Sequence, residues 1–158
     1  VYGVDTPKPA VVIDIGGGSV EVTLGAGDQV RFARSFKLGV IRLTERFVTS
    51  DPLSGRDERK LLEHISAQVD RYLGHIVNAG YDRVIGTSGT ILSLGTVATA
   101  VESGSAPAEI RNLRVPAKAI RKVRKMVCDL PLERRLQIPA MDPRRWRSSR
   151  RIRRASTW

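Results

Sequence analysis

The chain has 158 residues, with 27 Lys+Arg against 16 Asp+Glu and a formal charge of +11. That length suits one domain or one lobe of a larger protein. A single cysteine, Cys128, excludes an internal disulfide, and no apolar run is long enough to span a bilayer.

The positive charge is uneven. Seven arginines lie between Arg144 and Trp158, and without them 20 cations face 16 acids. The body of the chain is therefore near balance, and the basic signal belongs mostly to the tail. Val1 to Ala10, with Pro7 and Pro9, reads as a linker. It lacks a basic, apolar leader, so a cytoplasmic protein is the expectation. A first residue other than Met suggests a processed product or an excised piece.

Val11-Val12-Ile13-Asp14-Ile15 is a short β-branched apolar run and reads as a buried strand. Gly16-Gly17-Gly18 interrupts it. Alternation then resumes, with Val20, Val22 and Leu24 on one face and Glu21 and Thr23 on the other. This is a hairpin with a glycine turn. Such a turn lets a ligand approach the backbone, and successive N–H groups in it form an anion-binding concavity. Ser19 adds a hydroxyl. Asp14 and Glu21 flank the turn from its two arms, and an ionised carboxylate ending an apolar strand needs a partner. Phosphate donors beside paired carboxylates point to metal-assisted phosphate chemistry. The plainer reading is a glycine turn that only closes a hairpin.

Gly25 to Asp28 makes a second turn, and Gln29 to Leu38 a third strand with Val30, Phe32 and Phe36 inward. Val40 to Val48 reads as a short helix with Ile41, Leu43 and Phe47 apolar; Arg42, near its start, faces solvent or an anion. Asp57 to Ala79 is the longest helix, with Leu61, Leu62, Ile65, Val69, Leu73, Ile76 and Val77 at helical spacing and Gly80 as its C-terminal cap. His64 and His75 lie about three turns apart on it, too far for one metal site. Asp82 to Ile85 is a strand, Gly86-Thr87-Ser88-Gly89-Thr90 a loop, and Ile91 to Val101 a buried helix. That loop either supplies donors at a helix N-terminus or is a turn capped by Ser88 or Thr90. Asn112 to Val115 reads as a short edge strand. Pro116 opens a helix to Met126 carrying Lys118, Arg121, Lys122, Arg124 and Lys125, either a solvated face or a polyanion surface. Cys128 reads as a small core residue.

Asp14 to Glu21, Lys37-Leu38-Gly39, Gly86 to Thr90 and Leu136 to Arg145 together resemble the exopolyphosphatase / guanosine pentaphosphate phosphohydrolase family of the actin, sugar kinase and Hsp70 ATPase superfamily. The resemblance implies an α/β, ribonuclease-H-like lobe over residues 11–143: a three-stranded antiparallel meander extended after helices into a mixed sheet. It implies hydrolysis of terminal phosphoanhydride bonds of inorganic polyphosphate or pppGpp with Mg²⁺ or another divalent cation. By motif match Asp14 and Glu21 would be the metal and water-orienting carboxylates. Gly16, Gly17, Gly18 and Ser19 would form a phosphate-binding loop, and Gly86, Ser88, Gly89 and Thr90 would line the same cleft.

The family's enzymes have two such lobes. Their first phosphate loop and a catalytic glutamate precede this one and find no match here, so the chain alone is expected to hydrolyse little. An N-terminal lobe is the implied partner, and a homodimer is allowed; no membrane is implied. The resemblance stops at Arg145. Residues 144–158 are expected to be a disordered basic tail, read in a shifted frame or artefactual, with an arginine-rich nucleic-acid arm as the alternative. Two rival functions stand beside the phosphatase: a non-enzymatic polyanion-binding module and a lobe of an ATP-binding kinase-like protein.

Overall fold

β1 (Ala10–Ile15) lies inside a four-stranded sheet of order β3-β2-β1-β4, with β2 at Val20–Ala26, β3 at Gln29–Phe36 and β4 at Arg83–Thr87. This computed structural model describes residues 8–142. The basic tail at Arg144–Trp158, with the frame-shift reading attached to it, lies outside the described residues. β1–β2 and β2–β3 pair antiparallel, as short glycine turns dictate; β4 joins β1 in parallel after a crossover through helices. The sheet is therefore mixed, as expected. Parallel pairing brings the chain segments after β1 and after β4 to the same end of the sheet.

Helices α1 (Val40–Phe47), α2 (Gly55–Ala79), α3 (Ser88–Ser103), α4 (Ala117–Asp129) and α5 (Leu132–Arg135) complete the described chain. It divides into two units. One takes in the chain up to Arg46 with Arg59–Ile91; the other takes in Phe47–Glu58 and the chain from Leu92 onward.

In the first unit, Val11 and Leu24 are buried with Ile76 of α2, and Ile13, Val22 and Phe32 pack around them. This is the alternating face read from the sequence. Tyr72 of α2 meets Phe36 edge-on at 5.6 Å between ring centroids, and the Arg34 guanidinium lies 4.0 Å over the same ring. Gly80 ends α2 at φ +72°, the left-handed conformation that favours glycine. Leu62, Leu73 and Val77 of the expected stripe are exposed, because the apolar arc of α2 is wider than the face the sheet covers. Val30 is also exposed, at 67%. A register shift at Leu24/Gly25 pairs Phe32 with Leu24 and Val30 with Gly25, which puts Val30 out of phase with the core.

In the second unit, Val97 and Ala98 of α3 pack with Ala119 and Val123 of α4 and with Ile138 and Met141. The expected strand at Asn112–Val115 does not form. Asn112 adopts φ +55°, which breaks the extended run, and the segment is turn and irregular chain. The start of α2 is fastened by hydroxyls. Ser54 accepts the Asp57 N–H at 3.1 Å, and the Asp57 carboxylate accepts the Thr49 N–H and hydroxyl at 3.0 and 2.7 Å.

Asp57 is buried. Hydrogen bonds from the Thr49 hydroxyl first, then the Thr49 N–H, hold its carboxyl below the ordinary carboxylate value. A depressed folded pKa stabilises the fold above the unfolded pKa, and that stabilisation is lost as pH falls through the folded value. Asp57→Asn is therefore expected to lower the melting temperature at pH 7. The difference from the parent should shrink as pH drops below the ordinary carboxylate range, which thermal unfolding at a series of pH values would measure. An equal deficit at every pH would contradict the linkage.

Candidate active site at the end of the sheet

The glycine loop is shaped by what lies behind it. The N–H of Val40 donates to the Gly16 carbonyl and that of Ile41 to the Gly17 carbonyl, each at 3.0 Å. The Arg42 Nε–H donates to the Gly18 carbonyl at 3.4 Å. The first turn of α1 thus spends these donors on the loop and does not present them to an anion, one of the two roles open to Arg42 and its helix in the sequence. Gly39 permits the approach: a methyl group there would run into the backbone of Gly17 and Gly18. With three successive carbonyls held from one side, the N–H groups of Gly17, Gly18 and Ser19 donate to no backbone carbonyl among the described residues. Gly16 closes the turn by donating to the Ser19 carbonyl at 2.9 Å.

Strand register places the carboxylates. Asp14 pairs with Glu21 across β1–β2, Asp14 with Thr87 across β1–β4, and Glu21 with Ser35 across β2–β3. Ser35, Glu21, Asp14 and Thr87 therefore form one row across all four strands, on the sheet face away from the Val11–Leu24 core. Directly opposite residues of an antiparallel pair have Cβ atoms about 4.5–5.5 Å apart. The Ser35 hydroxyl donates to Glu21 Oε1 at 2.7 Å, and the Thr87 hydroxyl to Asp14 Oδ2 at 2.9 Å. Hydrogen bonds from Ser19 first, then Ser35, hold the Glu21 carboxyl below its usual range. The sequence read Asp14 and Glu21 as a pair. It did not single out Ser35 or Thr87 as partners.

The second glycine segment is not a loop. β4 runs directly into α3, with Gly86 inside the strand beside Ile13 and Ser88, Gly89 and Thr90 in the first turn of the helix. Gly86 has no side chain because a methyl group would strike Ile91. Ser88 sits at φ +76°, a strained conformation for serine, and its hydroxyl is held by the end of β1: it donates to the Ile15 carbonyl at 2.9 Å and accepts from the Ile15 N–H at 3.3 Å. The Ser88 side chain thus clasps the two strands next to Gly16.

A hollow of about 500 Å³ in the same unit is lined by Lys37, Arg42, Leu43, Glu45, Arg46, His64 and Gln68. It contains none of the row residues. Among the described residues no three His, Cys, Asp or Glu side chains gather as a metal cage. No described helix is long and apolar enough to cross a membrane. Burial pushes the Cys128 thiol up, which suits a core residue rather than a nucleophile.

The Ppx/GppA phosphatase family profile matches residues 2–150, running past Arg145, where the sequence reading ended the resemblance. The chain is 28% identical over 137 residues to exopolyphosphatase 2 of Mycobacterium tuberculosis, covering 87% of this chain and 42% of that one. It is 27% identical over 133 residues to a guanosine-5'-triphosphate,3'-diphosphate pyrophosphatase of Vibrio vulnificus, covering 82% of this chain and 27% of that one. The crystal structure of the Aquifex aeolicus Ppx/GppA phosphatase superposes with a TM-score of 0.74 at 25% identity, over 94% of this chain and 48% of that one. The chain thus spans less than half the length of each of these relatives.

Gly39 and Gly18 are expected to respond oppositely to substitution. Gly39→Ala forces backbone against backbone and should cost about 3 kcal/mol or more, at the upper end of overpacking. Gly18 is exposed and a methyl group added there would meet nothing within 4 Å, so Gly18→Ala should cost under about 1 kcal/mol by comparison. Denaturant unfolding of both variants measures the contrast, and equal costs would mean that the Gly39 contact does not hold the loop.

Proposed function

Because the chain belongs to the Ppx/GppA phosphatase family, we propose that it forms the phosphate-handling lobe of a hydrolase that removes terminal phosphate from inorganic polyphosphate or pppGpp. The observation that carries this reading is the face-to-face pair Asp14 and Glu21 beside a glycine loop with spare N–H groups. Like charges directly opposite on a sheet destabilise it. A cation between them would turn that liability into a site.

The donor set fits Mg²⁺. It offers hard oxygen ligands, and Mg²⁺ takes one or two carboxylates together with water and substrate phosphate rather than a full protein cage. Asp14 and Glu21 would hold it. The ion would neutralise charge on the transferred phosphoryl group, the main need of a loose phosphoryl-transfer transition state. The N–H groups of Gly17, Gly18 and Ser19 would take phosphate oxygens. Glu21, held ionised by serine hydroxyls, suits ligation and orientation of the attacking water rather than storage of a proton. The additional length of the relatives fits a second lobe facing this one, and a cytoplasmic setting fits both substrates.

The polyanion-module reading is weaker. Of the five cations on α4, Arg124 pairs with Glu58 and Lys125 with Asp129, so part of that charge is already answered within the chain. The test is calorimetric titration of the chain with tripolyphosphate, with and without Mg²⁺. Binding should require Mg²⁺ and weaken about tenfold or more with Asp14→Asn or Glu21→Gln, as for lost charge-assisted contacts. Binding that ignores both the ion and the substitutions would favour the polyanion surface. Requirement for ATP in place of tripolyphosphate would favour the kinase-like lobe.

A further inference from the structure

We propose that Ser35 and Thr87 are positioning residues that set the orientation of the two carboxylates and thereby the affinity of the site for a hard divalent cation. The proposal deepens the cation reading of Asp14 and Glu21 and rests on it.

The geometry is a row with its donors on the outside. Ser35 stands on edge strand β3 and Thr87 on edge strand β4, and the two carboxylates lie between them on β2 and β1. Left to themselves, two carboxylates in opposite positions swing apart toward water. Here Thr87 holds one oxygen of Asp14 from its outer flank at 2.9 Å and Ser35 holds one of Glu21 at 2.7 Å, with the Ser19 hydroxyl of the loop as a further donor to Glu21. The other oxygen of Asp14 has no hydrogen-bond partner among the described residues. Thr87 has a second acceptor nearby, the Ile13 carbonyl at 3.4 Å, but its one proton goes to the nearer carboxylate. A single side-chain torsion, χ1, places each hydroxyl oxygen relative to the backbone of a paired strand, so few rotamers need freezing to hold them. That is the usual logic of outer partners around a metal site, which fix ligand orientation without touching the ion.

The two contributions should differ. The Thr87 bond is partly buried and the Ser35 bond exposed, so water competes harder for the second. The plainer alternative is that edge hydroxyls merely find the nearest acceptor and leave cation binding unaffected.

Mn²⁺ alone, titrated into the chain and followed by electron paramagnetic resonance, separates these. Thr87→Val is expected to weaken Mn²⁺ binding about tenfold and Ser35→Ala by several-fold, in line with the effect of outer-sphere partners. Thr87→Ser and Ser35→Thr restore the hydroxyls and should return affinity to near that of the parent, a rescue that a packing role would not give. Thermal unfolding checks each fold, and Thr87→Ala serves if the valine variant fails to fold. Parental affinity in the hydroxyl-free variants, with binding lost in Asp14→Asn and Glu21→Gln, overturns the proposal and leaves the cation reading standing. Absence of Mn²⁺ binding to the parent overturns both.

Discussion

Asp14 and Glu21 face one another because β1 and β2 are joined by a four-residue turn, and that constraint organises the end of the sheet. The register leaves neither carboxylate free to move along its strand. Two unit charges about 5 Å apart repel by roughly 3 kcal/mol at an effective dielectric of 20 and under about 1 kcal/mol in water. The chain tolerates the pair by keeping it on the face opposite the apolar core and by supplying hydroxyls to both members. The same turn fixes the glycine loop, whose carbonyls are claimed by α1 and Arg42. One short connection thus sets both the acidic pair and the orientation of the N–H groups beside it.

The crossover then brings the second segment to the same place. β4 runs parallel to β1, which the long helical connection between them allows, so the start of α3 arrives where the glycine loop begins. Ser88 fastens the two through both backbone groups of Ile15, and it accepts a left-handed backbone to do so. Gly86 and Gly39 serve approach rather than turning. One lets Ile91 close over β4, and the other lets α1 reach the loop.

Much of this was legible in the sequence. Alternation after Gly18 assigns Val20, Val22 and Leu24 to the core and Glu21 to the other face, and the glycine turn makes Asp14 and Glu21 neighbours without further knowledge. The pairing of β1 with β4 was not legible, since no local pattern sets the register of strands separated by two helices; Thr87 therefore passed as part of a loop. Ser35 was hidden for a different reason. A bulge at Leu24/Gly25 shifts the β3 register by one residue, so counting back from the second turn puts the wrong residue opposite Glu21. The same bulge exposes Val30. The width of the α2 stripe misled as well, because helical spacing says which residues share a side but not how much of it is covered.

Charge decides between the proposed roles of this sheet end. A polyphosphate or a guanosine pentaphosphate brings several negative charges to a loop that stands beside two carboxylates. Backbone N–H donors contribute only about 0.5–1.5 kcal/mol net each, or up to about 3 where the acceptor is charged. Repulsion from Asp14 and Glu21 is of the same order, so the loop alone gives a poor anion site. A simple polyanion-binding surface would gain by having neutral or basic residues in those two positions. Two acids facing each other here, each accepting hydroxyl hydrogen bonds, would make physical sense with a divalent cation between protein and phosphate. A cation held there would cancel the charge of the two acids and turn them from obstacle to anchor, and the loop would then add direction rather than most of the affinity.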